Sequence, residues 1–196
     1  MASPAAPVHA VTGSDHKLYC LNNHKLKIFN FSKESPVQVF KISVRGCIER
    51  VLRLPGRIPQ DMLNIPSTRV KNNVVVTVSG DALFVSSIRS SMSKTWSFKI
   101  YKIDSSKGIN KWEEIVSLGD EEILLGLGIT VLAKDIGGIK KNSIYFNATD
   151  FEDEHDGNDV FIYNLDAKTF EQPHQFVSSS IPCSNALWFL PIFKRE

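Results

Sequence analysis

Ala82-Leu83-Phe84-Val85-Ser86 and then Phe98-Lys99-Ile100-Tyr101-Lys102-Ile103-Asp104 read as two strands of one hairpin. Apolar and polar residues alternate in the second, and both segments are rich in aromatic and β-branched side chains, which favours strand over helix. The same pair occurs twice more. Lys17-Leu18-Tyr19-Cys20-Leu21 precedes Leu26-Lys27-Ile28-Phe29-Asn30-Phe31-Ser32, and Ser143-Ile144-Tyr145-Phe146-Asn147 precedes Val160-Phe161-Ile162-Tyr163-Asn164-Leu165-Asp166. An Ile-aromatic pair stands at the centre of the second strand each time.

The flanks repeat too. An apolar stretch lies before each hairpin, at 8–11, 74–78 and 129–133, and a fourth candidate strand follows it, at 37–42, 112–118 and 169–176. Turn residues such as Gly13-Ser14-Asp15, Asn22-Asn23 and Ser79-Gly80-Asp81 separate the pieces. Four antiparallel strands in succession, repeated, are the signature of propeller blades. The units recur at about 60–65 residues, longer than the roughly 40–50 of common propeller repeats, so inserts are expected. The expected fold is therefore all-β: a partial β-propeller of about three four-stranded antiparallel blades with little helix, in one domain spanning 1–196. Blade-like units cover 8–45, 73–118 and 129–176, with a Pro-containing connector at 46–70 and a closing strand at 185–193. A β-sandwich of similar strands is the competing architecture. Residues 119–128 read as a short strand or a helical turn, and 121–125 is where helix competes best.

Composition is that of an ordinary globular chain. Of 196 residues, 42% are hydrophobic and 22% charged, which disfavours disorder and collagen-like repetition. A formal net charge of +2 gives no electrostatic reason to expect nucleic acid or an anionic membrane as the main partner. Cys20, Cys47 and Cys183 form an odd, widely spaced set without C-x-x-C, read as reduced thiols of an intracellular protein. The opening Met1-Ala2-Ser3-Pro4-Ala5-Ala6-Pro7 has neither the charged nor the apolar region of a secretory signal, and the first arginine is Arg45, unlike a mitochondrial presequence. Cytosol or nucleus is the expected compartment.

Clusters with chemical potential carry plainer readings. Glu152, Glu154, Asp156 and Gly157 match positions one, three, five and six of a calcium loop, but the twelfth position is Tyr163, so the segment reads as a solvated hairpin loop. Arg45, Arg50, Arg53 and Arg57 would suit phosphate, yet no aromatic lies between them and Glu49 interrupts them. Gly126-Leu127-Gly128 has Val131 where a dinucleotide fingerprint needs a third glycine. There is no G-x-S-x-G, and His9, His16, His24, His155 and His174 show no ligand spacing. The reading is of a non-enzymatic chain without cofactor or metal. Trp96, Trp112 and Trp188 are expected in the core, with Trp112 wedged between neighbouring sheets.

Lys111-Trp112-Glu113-Glu114-Ile115-Val116-Ser117-Leu118-Gly119-Asp120, taken with Asn142-Ser143-Ile144-Tyr145-Phe146, Val160-Phe161-Ile162-Tyr163-Asn164-Leu165 and Trp188-Phe189-Leu190-Pro191, resembles the plant F-box-associated KIB-type β-propeller domain, a kelch-like shape. The likeness runs from about Gly13 to Phe193. It implies a protein–protein interaction module of the kind that recruits substrates to a ubiquitin ligase, and some members bind a shaggy-like kinase. An F-box helix bundle is not seen before Leu18. A truncated paralogue, or an organelle-directed one, without a ligase role is the alternative; an enzyme with an unrecognised site is a second. Partner contacts are expected at loop tips joining the strands of each hairpin, which places Asn22, Asn23, Arg89, Lys94, Glu152, Asp153, Glu154 and His155 as candidates.

Overall fold

A computed structural model of the chain describes residues 9–12, 16–22, 25–44, 68–90, 95–104, 111–135, 137–147 and 160–171. Strands β1 (His9–Thr12), β2 (Lys17–Asn22), β3 (Lys25–Asn30) and β4 (Val37–Ser43) form a four-stranded antiparallel meander. It is the first blade, in the order the repeat requires.

The second blade is another meander: β5 (Thr68–Val76), β6 (Ala82–Ser90), β7 (Trp96–Asp104) and β8 (Lys111–Ile115). Then come β9 (Glu121–Leu124), β10 (Ile129–Leu132), β11 (Ser143–Asn147), β12 (Val160–Asn164) and β13 (Thr169–Glu171). These nine strands make one mixed sheet in the order β13-β12-β11-β9-β10-β5-β6-β7-β8. The fold is all-β, a partial propeller. Among the described residues helix is limited to one 3-10 turn, Ala133–Asp135.

The middle blade explains why its sequence decided the fold. Its two faces are both buried. Val74, Val76, Ala82, Phe84, Ile88, Tyr101 and Trp112 pack with Tyr19, Leu21, Leu26 and Val44 of the first blade. The alternate residues Val75, Leu83, Val85, Phe98 and Ile100 pack with Ile123, Leu125, Ile144, Phe146 and Tyr163. Every residue from Ala82 to Ile88 is consequently buried, so β6 shows the continuous run of a strand covered on both sides rather than clean alternation.

Two ring polar tips tie the first blade to the second. The Tyr19 hydroxyl donates to the Gly80 carbonyl at 3.0 Å, and Trp112 Nε1–H donates to the Ser43 carbonyl at 3.1 Å. Trp112 lies 5.9 Å from the Phe84 ring, only 6% exposed. It is the wedge between sheets that its position suggested. The Gly80 end of this contact is a tight turn, with Gly80 at φ 84° and its N–H bonded to the Thr77 carbonyl, a backbone that glycine adopts at little steric cost.

Three boundaries differ from the sequence reading. The connector does not reach residue 70, because Thr68, Arg69 and Val70 already pair with Ser90, Arg89 and Ile88 in β5. Ile88, Arg89 and Ser90 are strand rather than loop, paired on both sides as the extension of β6. The third unit is built differently: β10 folds back on β9 and touches β5 through Ile129 and Val76, while β9 lies parallel to β11. The cause is a tight turn in which the Leu127 and Gly128 N–H groups bond to the Leu124 carbonyl, Gly128 taking φ 67°. This turn returns 129–132 onto 121–124 and leaves the other edge of β9 to β11. The segment 121–124 is thus strand, resolving the contest with helix. Of the 169–176 strand, 169–171 is seen; residues 172–176 and the closing strand at 185–193, including Trp188, lie outside the described residues.

Candidate interaction surface

Strand direction places the hairpin ends. β6 is antiparallel to β5, β5 is parallel to β10, β10 is antiparallel to β9, and β9 is parallel to β11. β6 and β11 therefore run the same way. The strand ends that flank 91–94 and those that flank 148–159 lie at one end of the nine-stranded sheet.

That end is aromatic and carries a stacked cation. Arg89, a candidate loop-tip residue, sits within β6 opposite Trp96, its guanidinium 5.4 Å from the centre of the indole ring; such a contact holds the cation and shields the ring face. Trp96 is 6.4 Å from Phe98 and 5.1 Å from Phe146, and Phe146 is 5.7 Å from Phe161. Phe161 in turn lies 5.2 Å from Phe170, which is 45% exposed. An unbroken row of rings thus runs from the seam between the second and third blades to the outer strand. Asn22 is exposed at the end of β2, opposite Lys25. Asn23, Lys94, Glu152, Asp153, Glu154 and His155 lie outside the described residues.

A residue outside the candidate set holds the third blade in place. Asn142, 4% exposed at φ 53°, uses all its polar groups. Its Oδ1 accepts from the Leu118 N–H at 2.8 Å, and its Nδ2 donates to Asp166 Oδ1 at 2.6 Å. Its N–H donates to the Glu121 carbonyl and its carbonyl accepts from the Leu165 N–H. One residue thus clips the second blade's exit to the β12–β13 turn through its side chain, and holds β9 through its backbone N–H. In the sequence Asn142 stands just before a strand and heads one of the stretches that carry the family resemblance, with nothing to mark this bonding role.

The described titratable groups do not converge on a reaction centre. Glu122 is fully buried with neither carboxylate oxygen hydrogen-bonded; burial, then the charges of Glu121 and Asp135, push its carboxyl up to about 7. Lys140 is held above its ordinary value by its contact with Glu171. Burial raises the Cys20 thiol against the pull of Lys27, which keeps it in its less reactive protonated form. Among the described residues no three His, Cys, Asp or Glu are placed to hold a metal ion, and no helix is long and apolar enough to cross a membrane.

The KIB1-4 beta-propeller family matches residues 3–164. This chain belongs to that family. Among its relatives in Arabidopsis thaliana, one named "Putative F-box protein" is 56% identical over 190 residues, 93% of this chain and 47% of the relative. Another, named F-box protein, is 54% identical over 184 residues, 93% of this chain and 46% of the relative. The chain spans less than half the length of these relatives. No solved structure matches it. Membership of the propeller family, with F-box proteins as relatives, supports a protein-interaction module.

Proposed function

We propose that this KIB-type chain is the part of an F-box-type protein that holds the protein to be ubiquitinated, gripping it with the hairpin ends of its blades. The carrying observation is the family membership together with 54–56% identity to F-box proteins across 93% of the chain. The architecture supports it. A middle blade buried on both faces is a stiff mount, and loops on a stiff mount are free to vary in sequence for recognition. Arg89 on Trp96 and the exposed Phe170 supply the kind of aromatic and arginine anchors that dominate binding energy at interfaces.

Within this reading the occupant is a substrate or a shaggy-like kinase, met in the cytosol or nucleus. The test is affinity capture followed by binding to the recombinant partner so identified. Reversing charge at Glu152, Asp153 and Glu154, or Phe170→Ser, is expected to weaken that binding at least tenfold while circular dichroism shows the fold retained. Full binding by both variants would refute the assignment of the recognising face.

A further inference from the structure

β10 and β11 follow one another in the chain, yet β9 lies between them in the sheet. The connection must therefore cross the entry of β9, and it does so as a strap whose described residues are 133–135 and 137–141. Both ends of the crossing are anchored on the segment it passes. The Ala133 N–H donates to the Asp120 carbonyl at 3.1 Å, and the Asn142 N–H to the Glu121 carbonyl at 3.0 Å. Within the strap the Lys140 N–H donates to the Tyr145 hydroxyl at 2.8 Å. Ile123 and Leu125 point into the core shared with the second blade, so alternation turns Glu122 and Leu124 to the opposite face, where Tyr145 pairs with Leu124. The strap passes over that face, since Lys140 reaches Tyr145 and the charge of Asp135 acts on Glu122.

Glu122 is 0% exposed and neither carboxylate oxygen has a hydrogen-bond donor. There the charged form loses its water and gains no partner, a cost that the protonated form largely escapes. Its charged surroundings do not relieve it. β10 sets Val131 opposite Glu122 and carries no titratable side chain. On β9, Glu121 adds a second negative charge, its carboxylate bonded by the Thr130 hydroxyl. The strap adds a third at Asp135; of its lysines, Lys140 is held by Glu171 of β13, Lys141 lies against Asp120, and Lys134 is exposed. β11 supplies Tyr145, whose phenol burial keeps protonated. Against this, the strap is held down lightly: by the bond to Tyr145 and by an ion pair whose partners are each about half-exposed, a kind of pair that contributes little. Gly137 and Gly138 stand together in it with open space around both, which leaves its backbone free to rearrange. We propose that the strap is a proton-operated cover, closed over Glu122 while the carboxyl holds its proton and lifted to admit water once the proton leaves. The blades stay folded as it opens, which distinguishes the device from a pH-dependent loss of overall stability.

The covered carboxyl is pushed up to about 7 from an ordinary 4.5, so ionisation favours the open strap by up to about 300-fold. The direction is fixed: closed in acid, opening as pH rises towards 7 and levelling off above it. Amide hydrogen exchange followed by NMR on the full chain, corrected for the intrinsic pH dependence of exchange, tests this. Between roughly pH 5.5 and pH 8 the protection of the Lys140 N–H is expected to fall at least tenfold. At each pH it should lie at least roughly tenfold below that of Val85, a fully buried residue of the middle blade that reports opening of the whole sheet. Glu122→Gln, uncharged throughout, should keep Lys140 equally protected at both ends of the range. Asp135→Asn guards against misfolding of that variant: it changes an exposed side chain whose charge opposes ionisation of Glu122, so it should shrink the loss of Lys140 protection. Lys140 protection that is constant with pH, or that matches Val85, would overturn the proposal. So would a loss as large in Glu122→Gln or Asp135→Asn as in the wild type.

Discussion

Replacing Asn142 by alanine removes the acceptor for the Leu118 N–H and the donor to Asp166, and it forces a Cβ-bearing residue without a local polar partner to keep φ 53°. A part-buried N–H left without its acceptor costs about 1–3 kcal/mol, and a lost bond to a charged group about as much. Holding alanine in the left-handed region adds about 1 kcal/mol. Some recovery through water and relaxation follows, so the expected loss is about 3 kcal/mol. At about 2–4 °C per kcal/mol for a chain of this size, the melting temperature falls by roughly 6–12 °C. Asn142→Gly separates the two contributions, because glycine keeps the backbone without strain and loses only the bonds; it should melt between alanine and wild type. Asn142→Asp keeps the acceptor but opposes the Asp166 carboxylate, so it should be less stable than wild type at neutral pH and recover on acidification. Differential scanning calorimetry of the four proteins decides. If Asn142→Ala melts within 2 °C of wild type, the clip between the second and third blades is not a significant contributor. Equal melting of the alanine and glycine variants would refute the backbone argument alone.

Trp112→Phe keeps a ring against Phe84 but loses the bond to the Ser43 carbonyl; a loss of about 1–2 kcal/mol is expected, against about 3–5 for Trp112→Ala, measured by urea titration. Glu122 gives the chain a distinctive pH dependence. Its carboxyl is raised from an ordinary 4.5 to about 7, so the folded protein binds the proton more tightly than the unfolded one, and stability from this group is fully present below pH 4.5 and lost as pH rises to about 7. The span is at most about 3 kcal/mol at 1.36 kcal/mol per unit. Glu122→Gln should flatten this part of the profile and melt higher than wild type at pH 8; an unchanged profile from pH 5 to 8 would refute the burial argument.

The sequence displayed the strands well because the signal is local. Alternation and aromatic content in β3, β7 and β12 mark half-buried strands wherever they are placed, and Trp112 was identifiable as a wedge because a large ring opens a strand whose neighbours are polar. The errors fall where pairing decides. Ser86-Ser87-Ile88-Arg89-Ser90 has the composition of a loop, yet it lies between two long partners that each bond to it, and this drew Arg89 from a supposed tip into the strand. Glu121 and Glu122 look like solvated strand or helix residues. Glu122 is nonetheless fully buried, on a strand that lies inside the nine-stranded sheet between β10 and β11.

The order of strands within the first two blades, the all-β class and the recurrence of a blade follow from side-chain periodicity, which each segment carries on its own. Which strand neighbours which in the third unit, the gathering of Leu118, Glu121, Leu165 and Asp166 around Asn142, and the passage of the strap over Glu122 do not. Those depend on register and chain reversal, set by contacts between residues far apart in sequence. A single residue's shift in a strand would move every side chain to the other face, and only the folded protein chooses between the two.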